Sequence, residues 1–175
     1  MSGPPEAAGG AAAAPVIEHT RGEYTISTDP GKLDLDVVHG YLTQSYWAQG
    51  IPRDVVRRSI AHSIPFGLYH AGRQVGFARW ITDHATFAYL GDVFVLEAHR
   101  GRGLSKWLME VAVAHPAVQG QRRWVLLTRD AHGLYRQFGF EALRAPDRYM
   151  ERHWRDVYAA AADPPAPDPG DGRRG

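Results

Sequence analysis

Val93-Phe94-Val95-Leu96-Glu97-Ala98-His99-Arg100-Gly101-Arg102-Gly103-Leu104-Ser105-Lys106 is the most informative stretch of the chain. Its first three residues are β-branched or aromatic and suit a strand. His99 to Gly103 then form a basic, glycine-rich turn. Beyond it Leu104, Trp107, Leu108, Val111 and Ala112 recur at helical spacing. A strand thus runs through a glycine turn into a helix. A helix start carries free N–H groups and partial positive charge, which suit an anion. Glycine lets backbone approach a ligand closely, and Arg100, Arg102 and Lys106 add charge at the same place. A pyrophosphate is the natural guest. In isolation, Arg-Gly-Arg-Gly reads as a solvated turn; the order strand, turn, helix favours the anion site. The Walker loop does not fit, because no Gly-Lys-Ser/Thr end is present. The dinucleotide fingerprint does not fit either, because Lys106 stands where it needs a third glycine.

Outward from this stretch, the N-terminal side alternates strands and helices. Tyr24–Thr28 reads as a short strand, broken at Asp29-Pro30-Gly31. Leu33, Leu35, Val37, Val38 and Leu42 predict a helix that ends before Tyr46-Trp47. Pro52 suits the first turn of a second helix, with Val55, Val56, Ser59 and Ile60 as its inner stripe. Phe66–Tyr69, Gln74–Thr82 and Phe87–Leu96 read as an antiparallel meander. On the C-terminal side, Pro116 and Gly120 close the long helix. Trp124–Thr128 predicts a buried strand, Ala131–Phe138 a short helix, and Glu141–Leu143 with Tyr149–His153 a last hairpin. The fold class is mixed α/β, an antiparallel half followed by a parallel strand–helix–strand unit.

The Arg100–Ser105 segment, Arg-Gly-Arg-Gly-Leu-Ser, resembles the acyl-CoA motif of the GNAT superfamily, Arg/Gln-x-x-Gly-x-Gly/Ala. Serine in the last place is a mild departure. A second match lies downstream, where Tyr135-Arg136-Gln137-Phe138-Gly139-Phe140 keeps the family's Tyr-x-x-x-Gly-Phe and Asp130 replaces its usual Asn. The resemblance covers Tyr24 to His153. It implies a GNAT-like central mixed sheet of about six to seven strands with about four helices. The expected domain is 21–158, with an Ala/Gly/Pro-rich tail at 1–20 and a second tail at 159–175, both disordered.

The resemblance also implies chemistry: transfer of an acetyl group from acetyl-CoA to a primary amine, through a tetrahedral intermediate. Val93, Phe94 and Val95 would hold pantetheine, and the N–H groups of Gly101, Arg102, Gly103, Leu104, Ser105 and Lys106 the pyrophosphate. Arg100 and Asp130 complete the cofactor set. The N–H of Val95 would face the thioester carbonyl, where an aimed donor stabilises the oxyanion. Tyr135 would be the proton donor to the leaving thiolate. A free alkyl amine, of pKa roughly 10, must lose a proton before attack. Some relatives place a glutamate for this where the present chain has Gly91. Asp92 is adjacent, though strand alternation puts it on the opposite face; it is the first candidate base, beside Asp83, His84, Asp130 and a water chain. The first two helices and neighbouring loops imply an acceptor pocket, with Tyr46, Trp47 and Arg53 as candidates for a small carboxylate-bearing or aromatic amine. Arg57 and Arg58 read as solvated. A protein or peptide acceptor, and a non-catalytic acyl-CoA sensor, are the alternatives.

Composition sets the outer bounds. The 175 residues suit one domain, and 44% apolar residues supply a core. Lysine plus arginine total 20 against 19 acidic residues, which argues for neither nucleic acid nor a membrane surface as partner. No apolar run nears the roughly 20 residues that span a bilayer. The absence of cysteine excludes disulfides, zinc thiolates and a cysteine nucleophile, and fits a cytoplasmic setting. The nine histidines show no metal spacing. Folds of this kind commonly form homodimers, and the sequence identifies no interface.

Overall fold

The computed structural model describes residues 16–154 and 156–158. Six strands form one sheet in chain order: β1 (Glu18–Arg21), β2 (Tyr24–Ser27), β3 (Ile64–His70), β4 (Arg73–Thr82), β5 (Phe87–Val95) and β6 (Arg123–Leu126). Neighbours from β1 to β5 are antiparallel, and β6 runs parallel to β5. Among the described residues four α-helices accompany them: α1 (Leu35–Leu42), α2 (Arg53–Ala61), α3 (Leu104–Ala114) and α4 (His132–Arg136). The mixed sheet and the four helices match the expected fold class.

Helices cover both faces. On one, α1 and α2 enclose Val38, Leu42, Ile51, Val56, Phe77 and Phe94. Asp34 caps α1 by accepting from the N–H groups of Asp36 and Val37. Pro52 immediately precedes α2, where its missing N–H costs nothing. On the other face α3 buries Leu104, Trp107, Leu108, Met109, Val111 and Ala112 against β3, β4 and β5. Trp80, fully buried on β4, donates from Nε1 to the Ala112 carbonyl at 2.9 Å and ties α3 to the sheet.

Three expectations change. Glu18–Arg21 is a strand, although 18–20 lay in the expected tail. All four of its residues are exposed, so only backbone pairing across the tight turn at Gly22-Glu23 defines it, and no apolar alternation announces it. The rest of that tail, up to residue 15, and the tail from residue 159 lie outside the described residues. The last hairpin is absent: 141–145 and 149–154 carry no strand, and a short 3₁₀ turn at Pro146–Arg148 lies between them. Arg144, Pro146, Asp147 and Arg148 supply breakers and charge in place of an alternating apolar pattern. Consequently, among the described residues, β6 has a partner on one side only and is half-buried instead of buried.

Trp80→Ala removes both the ring and the bond to α3. It should lower stability by about 3–5 kcal/mol, read from the urea midpoint.

Candidate active site

The site begins with a fault in the β4–β5 ladder. Arg79 lies opposite Gly91 and Phe77 opposite Phe94, so Ala78 alone faces both Asp92 and Val93. This is a β-bulge on β5. Its extra residue reverses the side-chain alternation: Leu90 packs in the α3 core, whereas Phe94, also even-numbered, packs in the α1–α2 core. Asp92 takes a left-handed φ of 56°, which few non-glycine residues adopt but aspartate tolerates. The expectation that Asp92 points away from the face of Gly91 is therefore overturned. Asp92 turns toward the α1–α2 side, where Arg79 Nε donates to its Oδ2 at 2.5 Å and Trp47 Nε1 to its Oδ1 at 3.1 Å. The ion pair is nearly buried, its side chains 16% and 10% exposed.

Just before the bulge, β5 loses its parallel neighbour. Pairing with β6 ends at Leu90 opposite Leu126, while β5 continues to Val95. Residues 91–95 thus border a gap on the β6 side. The N–H of Leu96 goes to the Val75 carbonyl of β4 at 2.8 Å. By strand alternation the N–H of Val95 points the other way, into the gap. The Val95 carbonyl accepts from Arg100 Nε at 3.0 Å, and Arg100 Nη2 donates to the Tyr41 hydroxyl at 3.2 Å. Arg100 thereby braces the turn, with Tyr41 stacked on Phe94 at 3.8 Å between ring centroids. Gly76 lets β4 and β5 approach here, because a Cβ on it would lie 2.8 Å from the Phe94 carbonyl oxygen.

The glycine turn sits at the end of this gap. Gly101 and Gly103 have φ of 73° and 74°, the left-handed conformation that glycine adopts without strain. Gly103 starts α3, offers no side-chain cap, and no acidic residue occupies the first turn. The first N–H groups of an 11-residue helix are left uncapped, with Arg102 and Lys106 exposed beside them. His99 anchors the turn from behind: the Tyr24 hydroxyl and its Nδ1 are 3.1 Å apart, and His70 lies 5.1 Å away. Desolvation first, then the charges of His70 and Arg102, lower the His99 pKa.

Across the gap stands α4 with Tyr135, 8% exposed. Burial, followed by the influence of Tyr46, Tyr89 and Asp130, pushes its phenol up to about 12. The Tyr89 phenol is also raised, first by burial and then by Asp92. Its ring lies beside Gly91, where an added Cβ would come within 3.1 Å of it. Tyr135 also borders a cavity of about 680 Å³ between β6, α4 and residues 140–151. Asp130 is exposed and 3.7 Å from Arg129.

Of the acceptor candidates, Trp47 bonds Asp92 of β5, Tyr46 bonds the backbone of Arg129 beyond β6, and Arg53 pairs with Asp36 of α1 at 2.7 Å. Asp83 is a turn cap that accepts from the Thr86 hydroxyl and from the N–H groups of Ala85, Thr86 and Phe87; these hold its carboxyl well below the usual range. Sequence reasoning missed Arg79, Tyr89 and His99. The signal for Arg79 was a cation inside the apolar part of β4, beyond the exposed Arg73 at its start, facing a strand that holds a single anion. Among the described residues no group of three or more His, Asp or Glu could hold a metal ion. Nor is any described helix long and apolar enough to cross a membrane.

Comparison with known proteins agrees with this geometry. A family model described as an acetyltransferase (GNAT) domain matches residues 61–142. A protein of Gibberella zeae named as an acetyltransferase is 35% identical over 139 residues, which cover 66% of this chain and 77% of the relative. A crystal structure from Xanthomonas campestris pv. campestris, described as an acetyltransferase of the GNAT family, is 52% identical. It covers 78% of this chain and 96% of its own, with a TM-score of 0.76. The aminoglycoside N-acetyltransferase AAC(6')-Iy in complex with CoA shares the fold at 22% identity and a TM-score of 0.53, covering 69% of this chain and 88% of its own.

Arg79→Ala leaves the Asp92 carboxylate nearly buried without its cation. It should cost about 3–5 kcal/mol of stability in denaturant unfolding.

Proposed function

The chain belongs to the GNAT family of acetyltransferases, and from that premise we propose that it transfers an acetyl group from acetyl-CoA to the primary amine of a small molecule. The observation that carries this reading is the parting of β5 from β6 beside an uncapped helix start. Pantetheine is a chain of amides, and an open strand edge offers amides the pairing they need. Val93, Phe94 and Val95 supply that edge. The pyrophosphate sits on the N–H groups from Gly101 to Lys106, with the charges of Arg102 and Lys106 alongside. Arg100 serves the cofactor by bracing the turn, since its guanidinium is taken by Val95 and Tyr41. Asp130, exposed two residues before α4, is proposed to complete the cofactor set.

The N–H of Val95, aimed into the gap, stabilises the charge that develops on the thioester oxygen as the amine adds. Tyr135 stays protonated through the neutral range because its phenol titrates only near about 12. A thiol ionises near about 8.5, so complete proton transfer from this phenol is uphill. Tyr135 therefore acts by donating a hydrogen bond to the sulfur as it departs, and water completes the transfer. Tyr46 and Trp47 cross the acceptor side and confine it, which supports a small amine over a long peptide.

The test is acetyl-CoA turnover, read as free-thiol release, with a panel of amino acids, polyamines, aromatic amines and lysine peptides. Release with a small amine is expected. Release with lysine peptides alone would name a protein acetyltransferase, and calorimetric binding without release would name a sensor. Two variants separate the parts. Gly103→Asp puts a carboxylate on the helix start and should weaken acetyl-CoA binding at least about tenfold. Tyr135→Phe should cut kcat by about ten- to a hundredfold while acetyl-CoA affinity holds. The wild-type profile should show no alkaline limb from Tyr135 until the pH approaches about 12.

A further inference from the structure

We propose that Asp92 is a positioning residue: it fixes Trp47, and with it the Tyr46–Trp47 bridge that roofs the strand gap on the acceptor side. Resting on the acetyltransferase reading, the inference assigns Asp92 a role other than base.

The connection between α1 and α2 is fastened on both sides of the gap. On the β5 side, Trp47 Nε1 donates to Asp92 Oδ1 at 3.1 Å. On the other side, the backbone N–H of Arg129, three residues past β6, donates to the Tyr46 hydroxyl at 3.1 Å. The Arg129 guanidinium also lies 4.0 Å above the Tyr46 ring centre. The two rings pack edge to face, 4.9 Å between centroids at 80°. Two adjacent aromatic residues thus link the strands at the level where they part. Trp47 is also 6.2 Å from Tyr41, the ring that stacks on Phe94 and receives Arg100. The acceptor-side bridge and the brace of the glycine turn are therefore neighbours.

The same geometry makes Asp92 a poor base. Each of its oxygens already accepts a hydrogen bond, one from a guanidinium and one from an indole. Each carboxylate oxygen keeps a second lone pair, but a base must also carry the amine proton away. With Arg79 2.5 Å from Oδ2, protonating Asp92 would break the nearly buried ion pair that holds the bulge. What the carboxylate does well is accept from two fixed donors at once, and so set where the Trp47 ring stands.

The experiment has two arms. Hydrogen exchange on the free protein needs no substrate: Trp47→Phe keeps an aromatic ring and the Arg79–Asp92 pair but deletes the indole donor. It should speed exchange at the amides of 43–51 and leave α3 unchanged. Unchanged exchange at 43–51 would overturn the anchoring. The second arm uses acetyl-CoA and the best amine of the panel. Trp47→Phe and Asp92→Asn should each raise the KM of the amine about tenfold, the loss of one hydrogen bond to a charged group. Asp92→Asn also strips Arg79 of its anion, so adding Trp47→Phe to Asp92→Asn should raise the KM of the amine little further, because the contact that Trp47→Phe deletes is already lost. The acidic limb of kcat/KM should survive in Asp92→Asn. Loss of that limb with a collapse of kcat would make Asp92 the base and overturn the inference, as would effects that multiply in the double variant. If wild type turns over no amine, the acetyltransferase reading fails, and hydrogen exchange still decides whether Asp92 anchors the bridge.

Discussion

The Arg79–Asp92 ion pair holds open the irregularity on which the rest of the site depends. A regular β5 would carry its alternation straight through. Phe94 would then leave the α1–α2 core, and Val95 would leave the core beneath α3. The bulge puts both where they are, at the cost of one left-handed aspartate. The ion pair offsets that cost with two charges that are themselves expensive to leave unpaired. The stability of the bulge and the geometry of the gap are thus one quantity.

Two kinds of backbone freedom shape the proposed donor site. Gly101 and Gly103 supply left-handed turns that bring β5 into α3 with the helix start uncapped. Gly76 supplies close approach between β4 and β5. Neither contributes a functional group. The groups proposed to bind the donor are what these glycines expose, the N–H of Val95 and the first amides of α3. Side chains around them mostly brace: Arg100 on Val95 and Tyr41, His99 with Tyr24.

Most of this was legible from one sequence because it rests on local periodicity. The strand–turn–helix at 93–106, the meander and the helical stripes of α1, α2 and α3 all carry period two or 3.6. The illegible parts are those decided between elements. β1 shows no apolar pattern, since all its residues face water. The bulge is a register event across two strands, so counting along β5 alone put Asp92 on the wrong face. Arg53 was legible as a cation but not as the partner of Asp36. The absent hairpin shows the opposite failure, two short strands read at 141–143 and 149–153 around a segment, 144–148, whose breakers and charges do not sustain a hairpin.

The one-sided β6 divides the site into two regions of unequal permanence. The glycine turn springs from the sheet interior and from a helix packed on three strands. Tyr135 rides on a five-residue helix that follows an edge strand paired over four positions. Segments with one ladder and half-exposed side chains open at free energies below that of global unfolding. The proposed seat for the acyl donor is therefore part of the molecule's slowest-opening unit, while Tyr135 belongs to a unit that loosens on its own. Heat or mild denaturant would then separate affinity from turnover well before the chain unfolds.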